Sequence, residues 1–219
     1  MLPEVDAAAL AVLRHGLEEL DLLAALGDDE AARAEKLQQL IHYRDLIQQW
    51  NQVYNLTAVR DPNAMIARHL LDSLAVLPDV LGPQVLDLGT GAGLPGVPWA
   101  IARPQWQVTL LDSQAKRVRF LRQVVLALRL RNATVVHSRA QDFSPPDALF
   151  NTVTSRAFTD FPAFYALAKP LCASGGRVLA LKGQWPEPET PAPTNLAMQV
   201  RAVQVPGTSA ARHVVRVDC

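Results

Sequence analysis

The segment Val85-Leu86-Asp87-Leu88-Gly89-Thr90-Gly91-Ala92-Gly93-Leu94-Pro95-Gly96 constrains this chain more than any other. A short apolar run ends in an acid and passes into a turn holding four glycines in eight positions, after which a helical pattern begins. This reads as a buried strand, a tight turn whose main chain must lie close to a ligand, and a helix whose first N–H groups face that ligand. Gly91, Gly93 and Gly96 also satisfy the GxGxxG spacing of dinucleotide binders, so the spacing by itself does not choose the ligand.

Helix periodicity precedes this segment and strand–helix alternation follows it. Apolar residues recur at helical spacing over Ala8 to Leu23 and at Leu37, Leu40, Ile41, Ile47, Trp50 and Tyr54. Asp61-Pro62 starts a third helix that runs to about Leu77. A strand at Val108 to Asp112, a helix from Ala115 to Leu130, and strands at Ala133 to His137, Thr152 to Ser155 and Arg177 to Lys182 then alternate as a parallel sheet requires. Strands at Gln199 to Val205 and His213 to Asp218, separated by Pro206-Gly207, predict an antiparallel hairpin at the sheet edge. The Pro-rich stretch from Trp185 to Pro193 reads as a surface loop. The expected organisation is a helical extension over residues 1–80, packed on an α/β domain over residues 81–219.

Two acids bear on the ligand. Asp87 stands two residues before Gly89, and an anion beside the loop attracts an ammonium group and repels a pyrophosphate. Asp112 ends the next strand 23 residues after Gly89, where an acid takes ribose hydroxyls of either ligand class. With the preceding helices and the trailing hairpin, this favours S-adenosylmethionine over NAD. The expected fold is a class I, Rossmann-like methyltransferase: a mostly parallel seven-stranded sheet with an antiparallel C-terminal hairpin.

Charge is balanced overall but unevenly placed. Residues 1–35 hold nine acids against Arg14 and Arg33, a balance of −7, so the remainder carries +7. Of the 21 bases 17 are arginine, which suits bidentate phosphate contacts, although an Arg-, Ala- and Pro-rich composition also follows from genomic base bias. No apolar run approaches the roughly 18 residues of a membrane span, and the first residues are acidic where a secretory signal is basic. A soluble, cytoplasmic monomer is expected. Cys172 and Cys219 are too few for a disulfide framework and wrongly spaced for a thiolate metal site. Cys172 reads as a small apolar residue near a helix end and Cys219 as an exposed terminal thiol.

Six segments occur in one order: WNxxYNLTAVRDP (Trp50 to Pro62), RHLLDS (Arg68 to Ser73), LDLGTGAGLPGVP (Leu86 to Pro98), LLDSxxKRVRFL (Leu110 to Leu121), SRAF (Ser155 to Phe158) and LKG (Leu181 to Gly183). On them the chain, from about residue 37 to Arg212-His213, resembles the RsmG family, also called glucose-inhibited division protein B. The resemblance implies methyl transfer from S-adenosylmethionine to N7 of a guanosine in the 530 loop of 16S ribosomal RNA, with the small ribosomal subunit as partner. It implies cofactor contacts at Gly89, Leu94, Ala140, Gln141 and Arg156, to which the residue reading adds Asp87, Gly91 and Asp112. The resemblance also implies a departure at Gln141, a position at which it leads one to expect Glu.

Guanine N7 carries an in-plane lone pair and no proton, so attack on a sulfonium methyl needs alignment and no general base. No residue is therefore assigned as catalytic acid or base, and Arg156 is the positioning candidate. Neither an Asn/Asp-Pro-Pro-aromatic motif nor a Pro-Cys nucleophile is present. Arg139, Lys182 and Arg212 are candidate RNA contacts, each open to the plainer reading of a solvated charge. Lys116, Arg117, Arg119 and Arg122 read as a solvated helix face, Trp50 and Tyr54 as core packing, and His69 as a structural hydrogen-bonding residue. Asn55, Arg68 and Asp72 are expected to tie the helical region to the sheet. No metal is expected. A small-molecule methyltransferase and a non-catalytic Rossmann module remain as rivals.

Overall fold

A computed structural model describes residues 5–145, 148–156, 159–186 and 196–219. Most of the Pro-rich stretch, and Ala157 and Phe158 of the SRAF segment, lie outside the described residues. The N-terminal third is helical, and its helices begin where side chains can satisfy the first backbone donors. Asp6 caps α1 (Ala7–Glu19), Asp29 caps α2 (Glu30–Tyr54) and Asp61 caps α3 (Pro62–Met65), each accepting from a backbone N–H at 2.7–2.9 Å. Helix α2 ends on Asn55 at φ +48°, a left-handed C-cap. Helix α3 runs on through a π-helical turn, Ile66–Leu71, into α4 (Asp72–Leu74). The third helix of the sequence reading is thus one rod with a π turn inside it, and such turns concentrate at functional sites.

The sheet is formed by β1 (Gln84–Leu88), β2 (Gln107–Asp112), β3 (Ala133–His137), β4 (Phe150–Arg156), β5 (Cys172–Lys182), β6 (Gln199–Ala202) and β7 (His213–Asp218). The strand order is β3-β2-β1-β4-β5-β7-β6, parallel from β3 through β5 and antiparallel at β7 and β6. Helices α5 (Gly96–Ala102), α6 (Ala115–Ala127) and α7 (Phe161–Ala168) connect the parallel strands. Alternate residues of each strand feed two cores. Val85, Leu110, Leu179 and Val214 face the larger core, which also takes in α1, α2 and the segment from Met65 to Leu77. Leu86, Leu111, Val178 and Val215 face a smaller core closed by Phe161 and Phe164 of α7. The N-terminal helices therefore cover one sheet face and share its core. Among the described residues no helix is long and apolar enough to cross a membrane.

The cysteine expectation needs correcting. Cys172 opens β5 and Cys219 follows β7, and the two form a disulfide with a Cα–Cα distance of 6.5 Å. The antiparallel register sets Arg177 opposite Asp218, so the chain terminus returns beside the start of β5 across 47 residues of sequence. Cys219 is partly covered by the smaller core, not exposed. Nothing in local sequence announces that pairing, because it depends on which strands become neighbours.

Candidate active site

Strand order reverses between β1 and β4, and the carboxyl ends of these two parallel strands form the crevice where open α/β sheets bind ligands. Asp87 is in register with Thr154, so the turn after β1 leaves the sheet beside the end of β4, whose last residue is Arg156. In the turn after β1, Gly89, Gly91 and Gly93 have φ of +64°, +62° and +92°. This left-handed backbone costs other residues roughly 1–2 kcal/mol each. A Cβ on Gly91 would meet nothing closer than the Gly89 carbonyl at 3.9 Å, so that side of the loop faces open space. A Cβ on Gly96 would strike Leu110 at 2.3 Å and the Asp87 carboxylate at 2.9 Å, so Gly96 serves packing.

Three struts hold the turn. Asp87 is fully buried under it and accepts from the Thr90 hydroxyl at 2.6 Å and from Gly96 N–H at 2.9 Å, both on Oδ2. Its Oδ1 is buried without a hydrogen-bond partner. Burial pushes this carboxyl up to about 7, against the Thr90 and Gly96 hydrogen bonds and the charge of Arg156, which pull it down. The sequence placed this anion beside the loop, and the fold places it beneath. Asp112 is the second strut: its carboxylate accepts from Gly91 N–H at 2.9 Å and Gln114 N–H at 2.8 Å, and Arg117 lies 3.4 Å away. The third is Tyr43 of α2, fully buried, whose hydroxyl donates to the Ala92 carbonyl at 2.6 Å. Burial raises its phenol well above the usual range, so it stays a neutral donor. Tyr43→Phe should cost about 1–3 kcal/mol by orphaning that carbonyl and weaken cofactor binding several-fold. An unchanged melting temperature with unchanged calorimetric affinity would show that the strut holds nothing.

In front of the turn lies a cavity of about 640 Å³, a volume suited to a nucleoside-sized ligand. Gly89, Asp112, Arg117, Arg139, Ala140 and Gln141 are among the residues lining it. Five of these were expected at the site, counting Arg139 as an RNA contact. Arg117 is the sixth: by sequence it reads as solvated surface, and the fold turns it into the cavity wall. It stands five residues beyond Asp112, in the first turn of α6, and that proximity to a strand-terminal acid was the available signal. The side chain of Leu94 is in the larger core, so only its backbone belongs to the turn. Tyr43 carried no sequence signal, since its partner is a backbone carbonyl 49 residues away.

Arg156, Asp72 and Arg212 form a second group at the same rim. Arg156 Nη1 donates to Asp72 Oδ2 at 2.9 Å and to the Arg68 carbonyl at 3.2 Å, while Arg212 Nε donates to Asp72 Oδ1. Lys182, at the end of β5, donates to the Thr159 carbonyl at 2.6 Å. Of the three RNA candidates, Arg139 is thus exposed by the cavity, whereas Arg212 and Lys182 are engaged within the fold. The tie expected of Asp72 and Arg68 is present, but Asn55 accepts instead from Arg60, within its own loop. His69, inside the π turn, hydrogen-bonds the Arg68 carbonyl through Nδ1 and the Thr57 hydroxyl through Nε2, both at 2.9 Å. A carbonyl only accepts, so Nδ1 carries the proton and Nε2 accepts from Thr57. Burial, aided by the charge of Arg156, lowers His69 to about 4. Trp50 and Tyr54 stack at 5.2 Å against the larger core, as the packing reading expected.

Sheet order, glycine turn and acid-ended second strand together define a class I, S-adenosylmethionine-dependent methyltransferase. A SAM-dependent methyltransferase from Aquifex aeolicus superposes with a TM-score of 0.52 at 19% identity, covering 75% of this chain and 96% of that one. A putative caffeoyl-CoA O-methyltransferase from Staphylococcus aureus gives 0.54 at 10% identity over 80% and 92%, and at such identities the likeness speaks for the fold alone. Residues 36–215 match the family model described as rRNA small subunit methyltransferase G. The ribosomal RNA small subunit methyltransferase G of Laribacter hongkongensis is 44% identical over 207 residues, covering 94% of this chain and 96% of that protein. That of Alkalilimnicola ehrlichii is 46% identical over 208 residues, covering 94% and 90%. The chain belongs to the rRNA small subunit methyltransferase G family.

Proposed function

We propose that this protein methylates N7 of a guanosine in the 530 loop of 16S ribosomal RNA within the small subunit, acting as a cytoplasmic monomer. When bound, S-adenosylmethionine supplies an electrophilic sulfonium methyl. The left-handed glycines, the cavity in front of them and the unpaired buried oxygen of Asp87 fit such a group. Asp112 would receive the ribose hydroxyls on its remaining lone pairs, with Ala140 and Gln141 beside the adenine. Gly89 and Gly91 leave room for the methionine moiety, and the backbone of Leu94 completes the turn. Asp87 draws the ammonium, and Arg156 is placed to hold a carboxylate or an RNA phosphate. Arg139, Lys182 and Arg212 supply positive charge around the entrance.

The observation that carries the N7 reading is the engagement of His69 and Asp72 beside Arg156. Both ring nitrogens of His69 are occupied and its acidity keeps it neutral, while both Asp72 oxygens hold guanidiniums. These groups align and neutralise, as suits an acceptor with no proton to lose. To test it, purified protein and methyl-labelled cofactor are added to 30S subunits from a strain lacking this methyltransferase, and the labelled nucleotide is mapped by mass spectrometry. N7-methylguanosine in the 530 loop is expected; label at another position, or only in a small metabolite, defeats the reading.

Asp87 supplies a pH prediction. With a carboxyl pKa of about 7 in the folded protein, this group is partly protonated at neutral pH. An ammonium placed near Oδ1 lowers that pKa, so cofactor binding at pH 7 should release up to about half a proton. Binding heats measured in phosphate and in Tris should differ accordingly, and the difference should vanish in Asp87→Asn. Equal heats in the two buffers would place the ammonium elsewhere.

A further inference from the structure

Three separate parts of the chain meet on one carboxylate. Asp72 comes from the helical region, Arg156 from the carboxyl end of β4, and Arg212 from the residue preceding β7. The Asp72 side chain is 5% exposed and each arginine side chain 23%, so the anion is inside and both arginine side chains are partly exposed. One negative charge against two positive ones leaves the group at +1. A buried carboxylate held by two planar donors is costly to desolvate and has directional partners, which suits it to fixing geometry more than to adding stability. Arg156 is oriented a second time by the Arg68 carbonyl in the π turn. The glycine turn lies within electrostatic reach, because the charge of Arg156 is felt at both Asp87 and Tyr43.

We propose that Asp72 is a positioning residue for methyl transfer: it sets the guanidiniums of Arg156 and Arg212 in one fixed arrangement at the reaction rim, orienting the RNA without contributing to its affinity. The inference rests on the rRNA reading given above. It separates orientation from attraction, because Asp72 is the one anion in the trio. Removing its charge frees the guanidiniums to splay and at the same time raises the local charge from +1 to +2. Electrostatic attraction for an RNA backbone then rises while alignment is lost. The hairpin has independent anchors, since Arg201 of β6 pairs with Asp79 and the Asp218 carboxylate of β7 lies 3.4 Å from Arg177 of β5. Asp72→Asn is therefore expected to fold.

The experiment compares wild type, Asp72→Asn and Asp72→Glu as full-length proteins on 30S subunits lacking the modification. In Asp72→Asn, kcat should fall at least tenfold. Affinity for the subunit should be unchanged or tighter, its salt dependence steeper, and amide exchange over residues 212–218 faster. Asp72→Glu should recover part of kcat and return the salt dependence to that of wild type. A merely structural role would lower kcat, affinity and melting temperature together, and that outcome overturns the proposal, as does an unchanged kcat. Wild type that leaves 30S unlabelled overturns the rRNA reading itself and this inference with it, whereas a labelling wild type with an unaffected Asp72→Asn removes only the role of Asp72.

Discussion

Gly89→Val should lose cofactor affinity by more than about a hundredfold, at least about 2.7 kcal/mol, while remaining folded. Two effects act at this position, and their sizes differ. The backbone sits at φ +64°, where a β-branched residue is strained by roughly 1–2 kcal/mol. In a chain of this length that strain lowers the melting temperature by only a few degrees. The second effect falls on binding, because Gly89 lines the cavity and its main chain is the surface that the ligand must approach. Calorimetric titration with S-adenosylmethionine beside a thermal melt separates the two. Near-wild-type affinity would mean that the ligand is bound elsewhere, whatever happened to stability.

The largest effect on stability is expected from Trp99→Ala. Trp99 is fully buried in α5, directly after the glycine turn, and its indole N–H donates to the Ser73 carbonyl at 2.7 Å. Truncation leaves a cavity costing about 3–5 kcal/mol and an orphaned carbonyl in α4. This is a large share of the roughly 5–15 kcal/mol that holds a domain folded. A fall in melting temperature of about 10 °C or more should result. The same ring fixes α5 against the helical region, so the turn between β1 and α5 loosens and cofactor affinity should fall too. A melting temperature within about 3 °C of wild type would show that the helices and the sheet do not share a core through Trp99.

Much of the fold is legible in local sequence pattern. The glycine turn, the acid at the end of β2 and the strands Ala133–His137 and His213–Asp218 appear where local pattern put them, and the edge hairpin is present with its first strand ending at Ala202, short of the expected Val205. These are period and punctuation signals, set by side-chain alternation and by the few residues that tolerate left-handed backbone. The sequence points to Asp72 as a tie between helices and sheet, but the cysteine bridge, the two arginines that hold Asp72 and the Tyr43 strut were not legible, because each joins residues distant in sequence. Arg117 and Arg212 show the same limit from the other side. A guanidinium reads alike in sequence whether it faces water or a buried carboxylate, and only neighbouring strands and helices decide which.

By itself the sequence determined the class of the protein: a strand–glycine turn–helix followed by an acid-ended strand admits little beyond a nucleoside-bearing ligand on a parallel sheet, since so few residue types permit that turn. Tertiary structure alone decided what the charges do. Desolvation and distance, neither of which is a local property, turned Asp87 into a partly protonated strut beneath the loop, His69 into a fixed neutral ring and Asp72 into the shared partner of two arginines.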